Sequence, residues 1–411
     1  MLSDKQLDVF LFPYTSYDCL ICDGSVRSGK TFAMVESFIL WAMTTFDRQE
    51  LIIMGKTVGS AKRNVIDPLL LDPTVPRLHK GEPERYAVKW LKTEGVLTVG
   101  YRGKVNRFHV FGAKDEASYQ LVQGLTAAGL MVDETALCNQ AAVNQAVARC
   151  SVEGSKLFFN CNPEGEQHWF YKEWILKAKE RNALRIHFTM DDNPSLSSQT
   201  RERYERMFAG VFKRRYVLGE WVLAEGLVYP YERERIEADI EPKPGELCYV
   251  GLDYGITNPF AAVLLVVRHG VAYVADCMGW DSRKEGSRKT DSELHAMLSE
   301  WLKPYTVDCI CIDPSASSFI EELDRHGDYE VVKADNGVLE GIQDVSTAFD
   351  NGALKVSPKC GDVFAELGAY RWDESRKDGK DHVIKESDHY LDALRYCIRT
   401  ALRDVLPCFG W

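Results

Sequence analysis

The chain has 411 residues, of which 45% are hydrophobic and 27% charged, ordinary values for a globular protein long enough for two or three domains. A net charge of −11 excludes a uniformly basic nucleic-acid coat, yet it permits one local groove, since only the charges facing phosphates count. No apolar run approaches the roughly 18 residues of a membrane span and no N-terminal signal pattern is present, so a soluble, intracellular protein without a membrane partner is expected.

Twelve cysteines are scattered without the clustering of a zinc module, which suits a reducing compartment. The one CxxC, Cys19 and Cys22, lies in an apolar run that reads as a buried strand, and a zinc site would need two further ligands.

Along the first half, YDCLICDG, LIIMGKT, FHVFGA, GLMVDE, KLFFNCNP and LRIHFTM read as strands that alternate with helical stretches such as TFAMVESFILWAM. That alternation predicts a mostly parallel sheet covered on both faces, with ligands taken at the strand ends. The first strand runs into DGSVRSGKT, which holds Gly24, Ser25, Val26, Arg27, Ser28, Gly29, Lys30 and Thr31 in the spacing G-x-x-x-x-G-K-T. Between a strand and a helix this pattern is a phosphate loop: glycines turn backbone N–H groups inward, Lys30 reaches the β- and γ-phosphates, and Thr31 ligates Mg²⁺. An arginine in such a loop can simply face solvent. Beside a γ-phosphate, Arg27 would neutralise the charge that develops in phosphoryl transfer.

GLMVDE supplies the matching second element about a hundred residues later. Asp133 is placed to hold the Mg²⁺ shell and Glu134 to orient or deprotonate the attacking water. The next strand ends in Asn160, Asn162 and Pro163, amides that can sense a γ-phosphate or merely close a turn.

Residues 224–246 are charged and Pro-containing and read as a linker, so the expected domains are 1–223, the linker 224–246, and 247–411. The second half is again α/β in pattern, and SRKEGSRKT at 282–290 reads as a polar, basic loop. Asp253 ends the run CYVGLD, Asp313 ends VDCICID, and Asp388, His389 and Asp392 fall together in the helical stretch KESDHYLDALRYCI. Asp392 shares a helix face with either neighbour, at i,i+3 or i,i+4. Three acids on two strand ends and a helix can converge on two divalent cations, Mg²⁺ or Mn²⁺, for phosphodiester cleavage. The ordered set resembles ribonuclease H-type nucleases.

Taken together, GSVRSGKT, GLMVDE, NCNPEGEQHWFYKEW, DDNPSL, RRYVLGEWVLAEGLVY, GLDYGITNP, CIDPSAS, KADNG and DHYLDALRY resemble, in order and spacing and along nearly the whole chain, the large terminase subunit of tailed bacteriophages. The resemblance implies a P-loop ATPase of the ASCE/RecA-like kind followed by a ribonuclease H-like nuclease. It implies ATP with Mg²⁺ at Gly24, Gly29, Lys30, Thr31, Asp133 and Glu134, with Arg27 as the arginine of the loop and Asn160–Pro163 as the coupling motif. Asp253, Asp313 and Asp392 match the nuclease acids, His389 matches a histidine three positions before the last acid, and Gln6 is the nearest match to an adenine-contacting glutamine. The implied partners are double-stranded DNA, a small terminase subunit and the portal of an empty capsid. A ring of subunits, commonly a pentamer, would work in the host bacterial cytoplasm and would not enter the mature virion. A helicase- or repair-type ATPase fused to a nuclease is the alternative, but helicase motif sets beyond GLMVDE are not found. A non-catalytic assembly factor is a third reading, against which Glu134 and the three acids argue.

Overall fold

A computed structural model describes residues 2–71, 87–115, 122–255, 259–376, 378, 380–386 and 388–409. By their internal contacts these divide into two compact units: Met1–Arg201 with Lys213–Leu223 and Lys377–Lys380, and Glu202–Phe212 with Ala224–Arg376 and Asp381–Trp411.

The first unit opens with α1 (Asp4–Leu11), whose first turn is closed by a reciprocal capping box between Ser3 and Gln6. Among the described residues its strands are β1 (Cys19–Gly24), β2 (Glu50–Gly55), β3 (Ala87–Leu91), β4 (Val96–Tyr101), β5 (Lys104–Gly112), β6 (Gly129–Val132), β7 (Lys156–Cys161) and β8 (Ala183–Phe188). They form one sheet in the order β3-β4-β5-β2-β6-β7-β1-β8. Every described pairing is parallel except β3 with β4 and β4 with β5. The β3–β4 hairpin has no counterpart in the expected strands, because its residues show no long apolar run: AVKWL is half-exposed.

Helix α2 (Lys30–Thr45) covers one face with Met34, Phe38 and Trp41 packed on Leu20, Phe108 and Phe158. Two short helices, α3 (Val58–Ala61) and α4 (Asp67–Leu71), follow β2. Helix α5 (Gln140–Arg149) lies on the other face, where Ala142, Val143 and Ala146 join Ile21, Leu130 and Phe159. Both faces are therefore buried, which explains why β1 and β6 read as continuous apolar runs. Helices α6 (Ser198–Met207) and α7 (Gly210–Tyr216) each cross the division between the units in sequence.

The main stretch of the second unit starts with 224–246, which includes the short helix α8 (Arg233–Ile236) and a bridge from Glu237 to Val356. Its sheet contains β9 (Leu247–Asp253), β10 (Phe260–Arg268), β11 (Val271–Trp280), β12 (Thr306–Ile312), β13 (Val331–Lys333) and β14 (Leu354–Val356), in the order β13-β12-β9-β10-β11-β14. β9, β10 and β11 run antiparallel, whereas β12 and β13 join the β9 edge in parallel.

The stretch 282–290 is not wholly irregular. It opens with helix α9 (Ser282–Glu285), because Asp281 caps the Arg283 N–H at 3.0 Å. Helix α10 (Asp291–Leu302) and helix α11 (Ser317–His326) bury Leu294, Leu298, Phe319 and Leu323 against one face of the sheet. Helix α12 (Val338–Asp350) precedes β14, and α13 (Gly361–Ala369) follows it. Helix α14 (His389–Cys397) packs on β9 so closely that a Cβ on Gly251 would lie 1.9 Å from the Ala393 carbonyl oxygen. Glycine is required at that crossing.

Candidate functional site

Register in the first unit brings its polar residues to one edge. β1 and β7 pair Cys22 with Asn160, and β6 pairs with β7 through Val132 and Phe159, so Asp133 exits beside Asn160 and next to the 24–29 loop. Three left-handed residues shape that loop and its neighbour: Gly29 at φ 81°, Arg27 at φ 56° and Glu134 at φ 52°. Non-glycine residues seldom adopt this conformation, and such strain concentrates at functional sites. Gly24 has no room for a side chain, since a Cβ there would lie 1.9 Å from the Phe188 carbonyl oxygen.

The loop is strapped from outside. The Ser25 N–H donates to Phe188 O at 2.9 Å, the Val26 N–H to Tyr216 O at 2.8 Å, and Asn193 Nδ2 to Arg27 O at 2.8 Å. Two of the loop's amides are thereby spent on the fold. The amides at the start of α2, which have no partner inside the helix, remain to face an anion.

One cavity of about 350 Å³ is lined by Val26, Arg27, Lys30, Thr31, Asn64, Asp133, Glu134, Asn160, Cys161 and Asn162. Lys30 is buried, and its ammonium donates to Ser25 O at 2.9 Å and Asn162 Oδ1 at 2.7 Å. Burial lowers its pKa. Asp133 is also buried and accepts from Asn64 Nδ2 at 2.8 Å; burial raises its pKa despite that bond. Glu134, half-buried, is raised by burial and then by the adjacent Asp133 charge. Asn160 ties the group together: its Oδ1 accepts from the Glu134 N–H at 2.9 Å, and its Nδ2 donates to Thr31 Oγ1 at 3.2 Å.

A second hollow of about 260 Å³ on the outer side of the loop is lined by Arg27, Ser28, Gly29, Lys30, Thr31, Phe32 and Asn193. Gln6 reaches this side. Its Oε1 is held by the Ser3 N–H at 3.1 Å, and its Nε2 lies 2.5 Å from where a Cβ on Gly29 would be.

In the second unit Ile312 pairs with Leu252, so Asp253 and Asp313 leave adjacent parallel strands side by side, about 4.8 Å apart across the sheet. Asp253 Oδ2 is 2.8 Å from His389 Nδ1. Burial raises the Asp253 pKa, and the negative charges of Asp392 and Asp313 push the same way against His389. Asp313 feels burial too, but the Ser315, Asn336 and Tyr396 donors outweigh it and lower its pKa. Asp388 precedes α14 and is buried, and its Oδ2 has no hydrogen-bond partner among the described residues. Asp392 is buried and paired with the buried Arg395, Nη2 to Oδ1 at 2.8 Å. Residues 256–258 of the GLDYGITNP motif and Ser387 of KESDHY lie outside the described residues.

Each expected acid thus reaches the same end of its sheet, but sequence reasoning missed the residues that hold them. Arg395 neutralises part of Asp392, Asn336 and Tyr396 fix Asp313 at 3.0 and 3.1 Å, and Glu366 accepts the Tyr390 and Leu391 N–H groups that start α14. Burial pushes Glu366 up to about 7. Asn336, Asn193 and Tyr216 fall inside the motifs KADNG, DDNPSL and RRYVLGEW, which flagged the segments but not the contacts. Asn64 carried no signal at all.

Comparison with known proteins identifies the family. The family models described as "Terminase large subunit, T4likevirus-type, N-terminal" and "Terminase RNaseH-like domain" match residues 21–236 and 250–400. A solved large terminase from a thermophilic bacteriophage is 43% identical over 98% of this chain and 99% of that one, with a TM-score of 0.83. A structure of the same phage's large terminase with ADP superposes with a TM-score of 0.80 at 43% identity, covering 98% of this chain and 100% of that one. Its ATP-gamma-S complex gives 0.79 at 42% identity, with coverage of 98% and 100%. The large terminase subunit of Escherichia phage T5 is 23% identical over 265 residues, 61% of this chain and 59% of its own length. This chain therefore matches about three fifths of the T5 protein. With both domain models matched in order and the likeness to the thermophilic phage protein running along nearly its whole length, the chain belongs to the terminase large-subunit family.

Proposed function

We propose that this protein is an ATP-driven DNA-packaging motor that carries its own metal-dependent endonuclease, with an ATPase domain at 1–223, a linker at 224–246 and a nuclease domain at 247–411. One observation carries the reading: Lys30, Thr31, Asp133, Glu134 and Asn160 line a single cavity at the end of a parallel sheet.

In that cavity Lys30 would exchange Ser25 O and Asn162 Oδ1 for the β- and γ-phosphate oxygens of ATP. The amides from Ser28 to Thr31 would cradle the phosphates, and Gln6, beside Gly29, would meet the nucleobase end. The residues fit Mg²⁺, because Thr31 Oγ1 and the buried Asp133 carboxylate are hard oxygen donors facing the same cavity. Bound there, Mg²⁺ would neutralise charge on the phosphate oxygens. Glu134 would align and deprotonate the attacking water, helped by burial that raises its proton affinity. Arg27, at the rim of both hollows, would stabilise the transferring phosphoryl group. Asn160 bonds both Thr31 and the Glu134 backbone, so loss of phosphate contacts at Thr31 would be felt at Glu134 and passed on through Asn162 and Pro163.

The second site fits divalent cations on its donor set and on one orphaned atom, the buried Asp388 Oδ2. Asp253, Asp313 and Asp392 would hold two Mg²⁺ or Mn²⁺ ions, with Asp388 and His389 beside them. Such a pair stabilises the attacking and leaving oxygens in phosphodiester cleavage. Arg395 would restrain Asp392, and His389 would orient Asp253. Double-stranded DNA, a small terminase subunit and a portal ring are the proposed partners. A homo-oligomeric ring on the portal, in the host cytoplasm, is the proposed working form. Among the described residues no helix is long and apolar enough to cross a membrane.

Glu134→Ala is expected to cut DNA-stimulated ATP turnover by about a hundredfold or more while nucleotide still binds. Unchanged turnover would overturn the assignment.

A further inference from the structure

The nuclease unit carries a second cluster of ligating side chains away from its acids. His295 on α10, His326 at the C-terminal end of α11 and Asp328 just beyond it offer ligand atoms that all lie within 4.8 Å of one another. Helix α11 begins at Ser317 near Asp313 and runs away from it, so nine residue steps carry His326 about 14 Å along the axis from that edge. We propose that His295, His326 and Asp328 form a binding site for a borderline divalent transition ion of the Zn²⁺ class, which would staple α10 to the far end of α11.

Four observations carry this. First, two imidazoles and one carboxylate form a mixed N/O set that suits Zn²⁺ far better than Mg²⁺ or Ca²⁺. Second, the rings stack at 3.8 Å between centroids with 12° between planes. His295 is the buried ring of the pair. Third, His326 already has the outer partner that metal-binding histidines use. Its Nε2 lies 3.4 Å from Glu322 Oε1, so Nδ1 would be the atom offered to a metal. Glu322 is itself buried and fixed by Ser292 Oγ at 2.6 Å and Arg325 Nη1 at 2.5 Å.

Fourth, the anchor is buried and the closing groups are exposed. His295 Nε2 is 3.6 Å from Asp328 Oδ2 and 3.4 Å from Ser299 Oγ. The His326 and Asp328 side chains are 44% and 53% exposed, so each can shift by the ångström or so that a tetrahedral shell with bonds of about 2.0–2.2 Å requires. Without metal the same groups would form only a surface ion-pair network at a helix C-terminus, where basic side chains are ordinarily favoured. The experiment separates the two.

Full-length protein is titrated with Zn²⁺ against a chromophoric chelator at neutral pH, and thermal unfolding is followed with and without Zn²⁺. His326→Ala and Asp328→Asn are each expected to weaken Zn²⁺ binding by at least about tenfold and to abolish the Zn²⁺-dependent rise in unfolding temperature. Asp313→Asn should retain both. Folding of the variants is checked by circular dichroism, and both altered side chains are exposed. Equal Zn²⁺ affinity in the wild type and His326→Ala would overturn the proposal. So would loss of binding only in Asp313→Asn, which would place the ion at the nuclease acids.

Discussion

Asn160 shows how much one side chain can organise. Buried at the end of β7, it accepts from the Glu134 backbone with one atom and donates to Thr31 with the other. Glu134 sits in the left-handed region at φ 52°, a strained conformation that this bond helps to hold. Arg27 shares that backbone state at φ 56°, in the same loop as Lys30 but exposed, whereas Lys30 is buried. The two cations are therefore not redundant: Lys30 belongs to the floor of the cavity and Arg27 to its rim. Arg27→Ala should lower ATP turnover much more than nucleotide affinity, by about a hundredfold or more if it stabilises the transferring phosphoryl group. Measuring kcat beside the dissociation constant for ATP decides it. A fall in affinity with unchanged turnover per bound nucleotide would leave Arg27 a binding residue only.

At the scale of elements, the loop after β1 depends on a buried acid one residue before it. Asp23 is fully buried and accepts from Arg185 Nε at 2.9 Å and Nη2 at 2.7 Å on β8, and from Trp221 Nε1 at 2.9 Å beyond α7. His187 Nδ1 adds a fourth contact at 3.4 Å. Burial alone would raise the Asp23 pKa, but the His187, Arg185 and Trp221 hydrogen bonds and the Arg185 charge prevail and bring it down to about 2. A depressed carboxylate contributes stability that is present above its unfolded pKa of 3.8 and is lost as pH falls toward 2. The contribution is about 2 kcal/mol. Asp23→Asn should lower the unfolding midpoint of the first unit at neutral pH and flatten its dependence between about pH 4 and 2. A variant whose acid limb matches the wild type would show that the clasp contributes nothing. The same clasp places Tyr216 and Phe188 to bond the loop, so element packing shapes the nucleotide site before any ligand arrives.

At the scale of the whole molecule, each unit has its own sheet, its own core and its own set of converging acids. The proposed chemistries should then be separable by single substitutions. Asp313→Asn, which keeps one oxygen to accept from the Ser315 N–H but replaces the oxygen facing Asn336 and Tyr396 with an amide NH2 and removes the charge, is expected to abolish Mn²⁺-dependent plasmid cleavage and to leave ATP turnover unchanged. Plasmid digestion and phosphate release measured on one preparation test both halves. Retained cleavage would remove Asp313 from the site.

The sequence by itself determined the main line of this protein. Strand-sized apolar runs ending in DGSVRSGKT, GLMVDE and NCNP, followed by Asp253, Asp313 and the Asp388–Asp392 stretch, specify two α/β sheets with polar residues at one edge. Those features are local, because a strand, its exit residue and the next helix are consecutive in the chain. What only the tertiary structure decided is everything that depends on neighbours distant in sequence. Asn64 on Asp133, Trp221 and Arg185 on Asp23, and Tyr396 on Asp313 are 69, 198, 162 and 83 residues apart. The β3–β4 hairpin was missed for a related reason: β3 is half-exposed and β4, though it buries Val96, Leu97 and Val99, offers only a short apolar run. Arg395 on Asp392 is the instructive exception, only three residues away yet unreadable, because its weight comes from burial. Spacing brings two side chains within reach, but only the packed interior removes the water that would otherwise screen them.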